Sequence, residues 1–121
     1  SLWSARFDDP LSDAESFRQA DGHLLSIGEK VRDRQQIEGQ YMGLLKFTPG
    51  GWQQVRALLD GLAPDQVDKL DMTSLLRRLL EQGTPIAAVP VSGGWVEVDN
   101  PSDIALYERL IATPGWSHDW R

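Results

Sequence analysis

Two carboxylates, Glu97 and Asp99, are the residues of this sequence whose types and spacing most directly suggest chemistry. Alternating apolar and acidic residues from Trp95 to Asp99 predict a β-strand, in which Trp95, Glu97 and Asp99 share one face. Two carboxylates on one face at the end of a strand repel each other unless solvent, a cation or a basic group lies near them. The pattern therefore fits both a solvated strand edge and a site for a hard cation such as Mg²⁺.

A helix is predicted immediately behind these carboxylates, and it positions them. Asn100 is a favourable N-cap, and Pro101 suits the first helical position. Asp103 follows the cap by three residues, where a carboxylate meets unpaired amides and the positive end of the helix dipole. The helix cap thus accounts for Asp103, whereas local structure accounts for neither Glu97 nor Asp99.

The rest of the chain predicts strands interleaved with amphipathic helices, which favours a layered α/β fold. The predicted strands are residues 16–19, 23–27, 40–48, 85–91 and 95–99. Three helices are predicted. The first covers residues 52–60 and is closed by Gly61. The second is capped by Asp71 and ended by Gly83, and the third is capped by Asn100. Residues 62–70 are predicted to form a linker and residues 112–121 an irregular tail, within a single or partial domain over 1–121.

Composition limits the classes of function. The chain has 121 residues and a net charge of -6, which argues against binding to a nucleic acid polymer. It has no cysteine, which excludes disulfides, thiolate metal sites and a cysteine nucleophile. No apolar run reaches membrane-spanning length and no signal-peptide pattern opens the chain, so we expect a soluble, cytoplasmic protein without a membrane partner.

Four stretches, in serial order, resemble the C-terminal half of the cytidylyltransferase-like nucleotidyltransferases, which join a nucleoside triphosphate to a sugar 1-phosphate or to phosphocholine. The stretches are DPLSDAESF, SIGEKV, IEGQYMGLLKFTPGGW and DMTSLLRRLLEQGTPIAAVPVSGGWVEVDNPSDIALYE, and they cover most of residues 8–110. The resemblance implies the C-terminal portion of a layered, Rossmann-like sheet with flanking helices. The N-terminal half, which brings the glycine-rich nucleotide loop in that family, is absent from these residues.

The resemblance also implies roles for five residues. Asp99 looks like the acidic ligand of the catalytic Mg²⁺, with Glu97 beside it. Lys30 matches a catalytic lysine that contacts the acceptor phosphate, although Val31 stands where the family usually has proline. Glu29 beside this lysine, and Gly43 in the predicted central strand, correspond to positions at the bound substrate.

The function implied is Mg²⁺-dependent transfer of a nucleotidyl group from a nucleoside triphosphate to a phosphorylated small molecule. Its partners are these two substrates, and we expect no activity from this chain alone. A sheet that lacks its first strands leaves an unpaired edge, so we also expect a homo-oligomer. The alternative is a non-catalytic binding or assembly module that uses the acidic face or the sheet edge for a partner, so whether the chain acts as an enzyme stays open.

Overall fold

The computed structural model describes residues 16–29 and 38–116. The chain divides into two compact units. The larger unit is Ala14–Val89, and the smaller unit combines Ser1–Asp13 with Pro90–Arg121. The described parts of the chain form a small α/β structure, a three-stranded antiparallel sheet with helices, which agrees with the predicted fold class at this coarse level.

The larger unit begins with a β-hairpin at the position predicted. Strand β1, Ser16–Ala20, pairs antiparallel with β2, His23–Glu29. Between them, Asp21 and Gly22 have φ angles of 52° and 75°. Positive φ at both central residues is the conformation of the type I′ turn, which Asp-Gly favours.

Strand β3, Gly39–Gln40, pairs antiparallel with β1 and completes the sheet in the order β2-β1-β3. The predicted strand over 40–48 is therefore wrong beyond its first residue. Gly43 has a φ of 80°, which leaves the extended region. Leu44, in the apolar run expected to be buried on both faces, is 64% exposed.

Two helices follow this segment. Helix α1, Pro49–Asp60, begins earlier than predicted because the Thr48 side chain accepts a hydrogen bond from the Gly51 amide at 3.0 Å and caps it. Gly61 closes the helix, as predicted. A short helix, α2, Pro64–Asp68, replaces the predicted linker.

Helix α3, Met72–Glu81, supplies much of the core of the larger unit. Its N-cap is Asp71, as predicted, and its apolar face packs with β2 and α1. The buried apolar residues of this core are Ile27, Val55, Leu58, Leu75, Leu76 and Leu79. The helical spacing predicts one apolar face from Met72, Leu75, Leu76, Leu79 and Leu80. Its leucines face the core as predicted, whereas Met72 is 43% exposed.

The predicted strand over 85–91 is reduced to a single bridge between His23 and Ala87. Two backbone hydrogen bonds of 2.8 Å, from Leu24 N to Ile86 O and from Ala88 N to Gly22 O, hold this bridge beside β2. Proline at 90 lacks an amide donor for a longer ladder, and Val89 is 83% exposed.

In the smaller unit, helix α4, Pro101–Ile111, forms with Asn100 as its N-cap, as predicted. The strand predicted over 95–99 is wrong, because these residues do not form a strand. The argument that Trp95, Glu97 and Asp99 share one strand face no longer holds. None of the described helices is long and apolar enough to cross a membrane.

Candidate functional site

The acidic segment, defined here as Trp95 to Asp99, is irregular, but helix α4 holds it in place. Glu97 is half-buried and Asp99 is exposed. The Tyr107 hydroxyl donates a hydrogen bond of 2.9 Å to the Glu97 backbone carbonyl. Tyr107 is only 5% exposed, so the burial of its side chain fixes the position of this hydroxyl donor.

A capping box fixes the other end of the acidic segment. One carboxylate oxygen of Asp103, Oδ2, accepts hydrogen bonds from the Asp99 amide at 2.9 Å and the Asn100 amide at 3.1 Å. In return, Asn100 Oδ1 accepts from the Asp103 amide at 3.3 Å. Asp103 is 4% exposed, so these bonds lie largely out of water. The backbone at Glu97, Asp99 and Asn100 is therefore tied to α4 at three points.

Sequence reasoning assigned Asp103 to the helix cap and did not single out Tyr107. The two residues are four positions apart and so lie on one face of α4. That spacing is the signal that could have identified both as anchors of the acidic segment.

The acidic segment has the donor chemistry for Mg²⁺, although it does not form a complete protein site. Across residues 16–29 and 38–116, no group of three or more His, Cys, Asp or Glu residues could hold a metal ion. Mg²⁺ is usually bound by one or two carboxylates together with substrate phosphates and water. Glu97 and Asp99 fit such a shared site in type and number, and their assignment as ligands stays a prediction.

The predicted substrate-binding residue Glu29 is exposed and ends strand β2 in the larger unit. Its backbone carbonyl accepts a hydrogen bond of 3.2 Å from the Ser16 hydroxyl. Gly28, immediately before it, has a φ of 72°, so the backbone departs from the regular extended conformation at this residue.

Arg77 of helix α3 reaches this end of β2. Its guanidinium donates to the Ile27 carbonyl, from Nε at 3.3 Å and from Nη2 at 3.2 Å. Nη2 also donates to the Gly28 carbonyl at 2.9 Å. Sequence reasoning missed this contact, because no local pattern signals a bond between residues about fifty positions apart.

Gly43, the other predicted substrate-binding residue, is exposed and adopts a φ of 80°. A Cβ placed on it meets no described atom within 4 Å, so the space beside this backbone is open. Lys30 and Val31 lie outside the described residues. Glu29 and Gly43 belong to the larger unit, and Glu97 and Asp99 belong to the smaller one.

Two curated proteins are similar to this chain over most of its length. It is 36% identical over 111 residues to CTP:phosphoglutamine cytidylyltransferase of Campylobacter jejuni subsp. jejuni serotype O:2, a match that covers 87% of this chain and 44% of that protein. It is 26% identical over 105 residues to glucose-1-phosphate thymidylyltransferase of Streptomyces antibioticus, covering 84% of this chain and 28% of that protein. Neither a protein-family model nor a solved structure matches the chain.

The chain spans less than half the length of each of these relatives. Both relatives carry names of nucleotidyl-transferring enzymes, which confirms the resemblance inferred from the four sequence stretches.

Proposed function

Because this chain is nucleotidyltransferase-like, we propose that it forms the acceptor-side part of an enzyme that transfers a nucleotidyl group from a nucleoside triphosphate to a phosphorylated small molecule. In this proposal the transfer depends on Mg²⁺, and the sheet described above belongs to a larger Rossmann-like layered sheet. The acceptor is a sugar 1-phosphate, phosphocholine or a similar compound. The chain alone is inactive, because the triphosphate is bound by a nucleotide-binding half of the kind found in the family.

The observation that carries the proposal is the 36% identity to a cytidylyltransferase. The similarity extends over 87% of the chain, so it is not confined to one motif. The second relative, a thymidylyltransferase, differs from the first in nucleotide and in acceptor by name. Nucleotidyl transfer is what the two names share, and it is therefore the part of the function that is carried over to this chain.

In the reaction, an oxygen of the acceptor phosphate attacks the α-phosphorus of the triphosphate. The bond from that phosphorus to the oxygen bridging to the β-phosphate breaks, and pyrophosphate leaves. Glu97 and Asp99 are the residues that would hold Mg²⁺, which when bound offsets phosphate charge in the transition state. Lys30 is proposed to contact the acceptor phosphate, and Glu29 and Gly43 to bind the acceptor. No protein nucleophile is needed, so these residues act by binding and orientation.

The three anchoring hydrogen bonds of the acidic segment suit this role. Groups that stabilise developing charge are most effective when they are already in position before the reaction. Tyr107 and Asp103 hold the backbone that carries Glu97 and Asp99. The carboxylates of Glu97 and Asp99 therefore extend from a fixed main chain, although that main chain is not a strand.

The proposal is tested with Asp99→Asn in the full-length gene product. Pyrophosphate release is measured with CTP or dTTP as donor, with glucose 1-phosphate, phosphoglutamine or phosphocholine as acceptor, and at several Mg²⁺ concentrations. We expect Asp99→Asn to lower turnover by roughly a hundredfold or more, since a ligand to a charge-stabilising ion is lost. Its melting temperature should change little, because Asp99 is exposed.

Asp103→Asn is the matched control, since it changes the same functional group four residues away. It should lower stability and leave turnover nearly intact, because asparagine still offers an oxygen to the two amides. Normal turnover of Asp99→Asn at low Mg²⁺ would show that the metal assignment is wrong. If no donor and acceptor pair yields pyrophosphate, the non-catalytic module becomes the better explanation.

A further inference from the structure

We propose that Arg77 is a positioning residue for the acceptor site, which acts by fixing the end of strand β2 from which Glu29 projects. The inference rests on the proposed function, in which Glu29 binds the acceptor. Arg77 itself is not proposed to touch substrate; it acts through the backbone of Ile27 and Gly28.

The geometry of the contact constrains two successive peptide units. The Arg77 guanidinium donates to the Ile27 carbonyl from Nε at 3.3 Å and from Nη2 at 3.2 Å, and to the Gly28 carbonyl from Nη2 at 2.9 Å. A guanidinium is planar and always charged, so its donors act as one rigid fork. Hydrogen bonds from a charged donor are stronger than neutral ones. The peptide units on either side of Gly28 are therefore held together by one side chain.

Gly28 makes this contact possible. Its φ of 72° is a conformation that side chains rarely adopt. A Cβ at this position would lie 2.9 Å from Arg77 Nη2 and closer still to the Thr73 methyl group. The missing side chain leaves the space that the guanidinium and Thr73 occupy.

The pairing with β1 is less regular at this end of β2, where the Ser16 hydroxyl also donates to the Glu29 carbonyl at 3.2 Å. The pairing with β1 is irregular between Ser16 and Phe17, next to the pair Ser16 and Glu29. On the other side of β2, the bridge between His23 and Ala87 lies at the opposite end of the strand. Arg77 adds hydrogen bonds from helix α3 to the two peptide units that precede Glu29.

The helix backbone that carries Arg77 is well anchored. Leu76, its neighbour on α3, is 3% exposed, and Ile27 on β2 is 2% exposed. Both belong to the core of the larger unit. The guanidinium therefore connects two elements that already pack together, and removing it should loosen the strand end while the core stays intact.

The first arm of the test measures amide hydrogen exchange in the 121-residue chain and needs no substrate. The Gly28 and Glu29 amides belong to the two peptide units whose carbonyl oxygens accept from Arg77. We expect Arg77→Gln to speed exchange of these amides about tenfold, since the peptide units move more freely once the charge-assisted hydrogen bonds are lost. Arg78→Gln is the matched control on the same helix, because the described structure shows no hydrogen bond from the Arg78 side chain. Arg77→Lys keeps the charge and a single donor nitrogen, and it should restore part of the protection.

The second arm measures steady-state kinetics of the full-length gene product with whichever acceptor supports pyrophosphate release. We expect Arg77→Gln to raise the KM for the acceptor about tenfold while the KM for the triphosphate stays unchanged, since a displaced strand end weakens acceptor binding specifically. Arg77→Lys should recover part of the loss, and Arg78→Gln should match the wild type. If Arg77 only stabilised the fold, Arg77→Gln would change neither the acceptor KM nor the triphosphate KM of the molecules that remain folded.

The two arms separate the possible failures. Unchanged exchange at Gly28 and Glu29 in Arg77→Gln overturns the inference whatever the reaction is. Faster exchange with an unchanged acceptor KM also overturns the positioning role. Absence of pyrophosphate release from the wild type overturns the proposed function and the acceptor role with it, while the exchange arm still decides whether Arg77 fixes the strand end.

Discussion

Asp103 is a helix cap that also anchors the acidic segment. A single carboxylate oxygen accepts from the amides of both Asp99 and Asn100, and the side chain is 4% exposed. Both amides depend on this one side chain for their acceptor, so its loss costs the chain two hydrogen bonds at the start of α4. The carboxylate that sequence reasoning explained as structural is thus also the one that holds Asp99 in place.

We predict that Asp103→Ala lowers the free energy of unfolding by about 2 kcal/mol, because two amides lose their acceptor. Asp103→Asn should lower it by about 1 kcal/mol, since the amide oxygen can accept both bonds without the charge. Urea unfolding at neutral pH measures both. Glu108→Gln, an exposed change on the same helix, is the control and should stay within about 0.5 kcal/mol of the wild type. Equal stability of Asp103→Ala and wild type would contradict the anchoring role.

At the scale of the element, helix α3 performs two tasks. Its leucines fill the core of the larger unit, and Arg77 holds the end of β2. The start of the helix depends on Asp71, whose Oδ1 accepts from the Ser74 amide at 2.7 Å and whose Oδ2 accepts from the Ser74 hydroxyl at 3.0 Å. These hydrogen bonds, the backbone one foremost, lower the pKa of the Asp71 carboxyl below its ordinary value of 3.8.

A lowered pKa in the folded state means that the cap stabilises the protein above the unfolded-state pKa and loses this effect as the pH falls through the folded-state pKa. We predict that Asp71→Ala lowers the melting temperature at neutral pH. The difference from the wild type should shrink once the pH falls below 3.8. Asp71→Asn, which caps without titrating, should stay close to the wild type at neutral pH. A pH-independent difference between wild type and Asp71→Ala would contradict the role of the charged cap.

At the scale of the whole molecule, several apolar side chains of the larger unit are exposed. Leu44 is 64% exposed and Trp52 is 50% exposed. The rings of Phe47 and Trp52 meet edge to face at 6.2 Å and 68°, close to Leu44 in sequence. Leu44 and Phe47 come from the segment that was expected to be a buried strand, and Trp52 belongs to helix α1. Together these exposed side chains offer a contact surface to another chain.

We predict that the 121-residue chain self-associates at micromolar concentration through this surface. Light scattering should give a dimer or larger species for the wild type. Leu44→Glu should shift the mass toward the monomer because it places a charge in the apolar contact. Met72→Glu adds the same charge at another exposed apolar position and should leave the mass unchanged. A monomeric wild type with cooperative unfolding would contradict the prediction.

The sequence by itself determined the local elements and, through four motif stretches, the relationship to nucleotidyltransferases. The Asp21-Gly22 turn and the caps at Asp71 and Asn100 were predictable because each depends on residues within a few positions. The candidate residues Glu29, Gly43, Glu97 and Asp99 came from the resemblance, and their roles stay predictions, as does that of Lys30.

Only the tertiary structure decided which predicted strands formed and what holds the candidate residues in place. The runs over 40–48, 85–91 and 95–99 all suited strands, but a strand needs a partner, and its hydrogen bonds form only where another strand lies alongside. The contact of Arg77 with the Gly28 carbonyl was equally hidden, because it joins residues 49 positions apart. Local propensity specifies turns and caps, whereas pairing and long-range hydrogen bonds depend on which segments the packed core brings together.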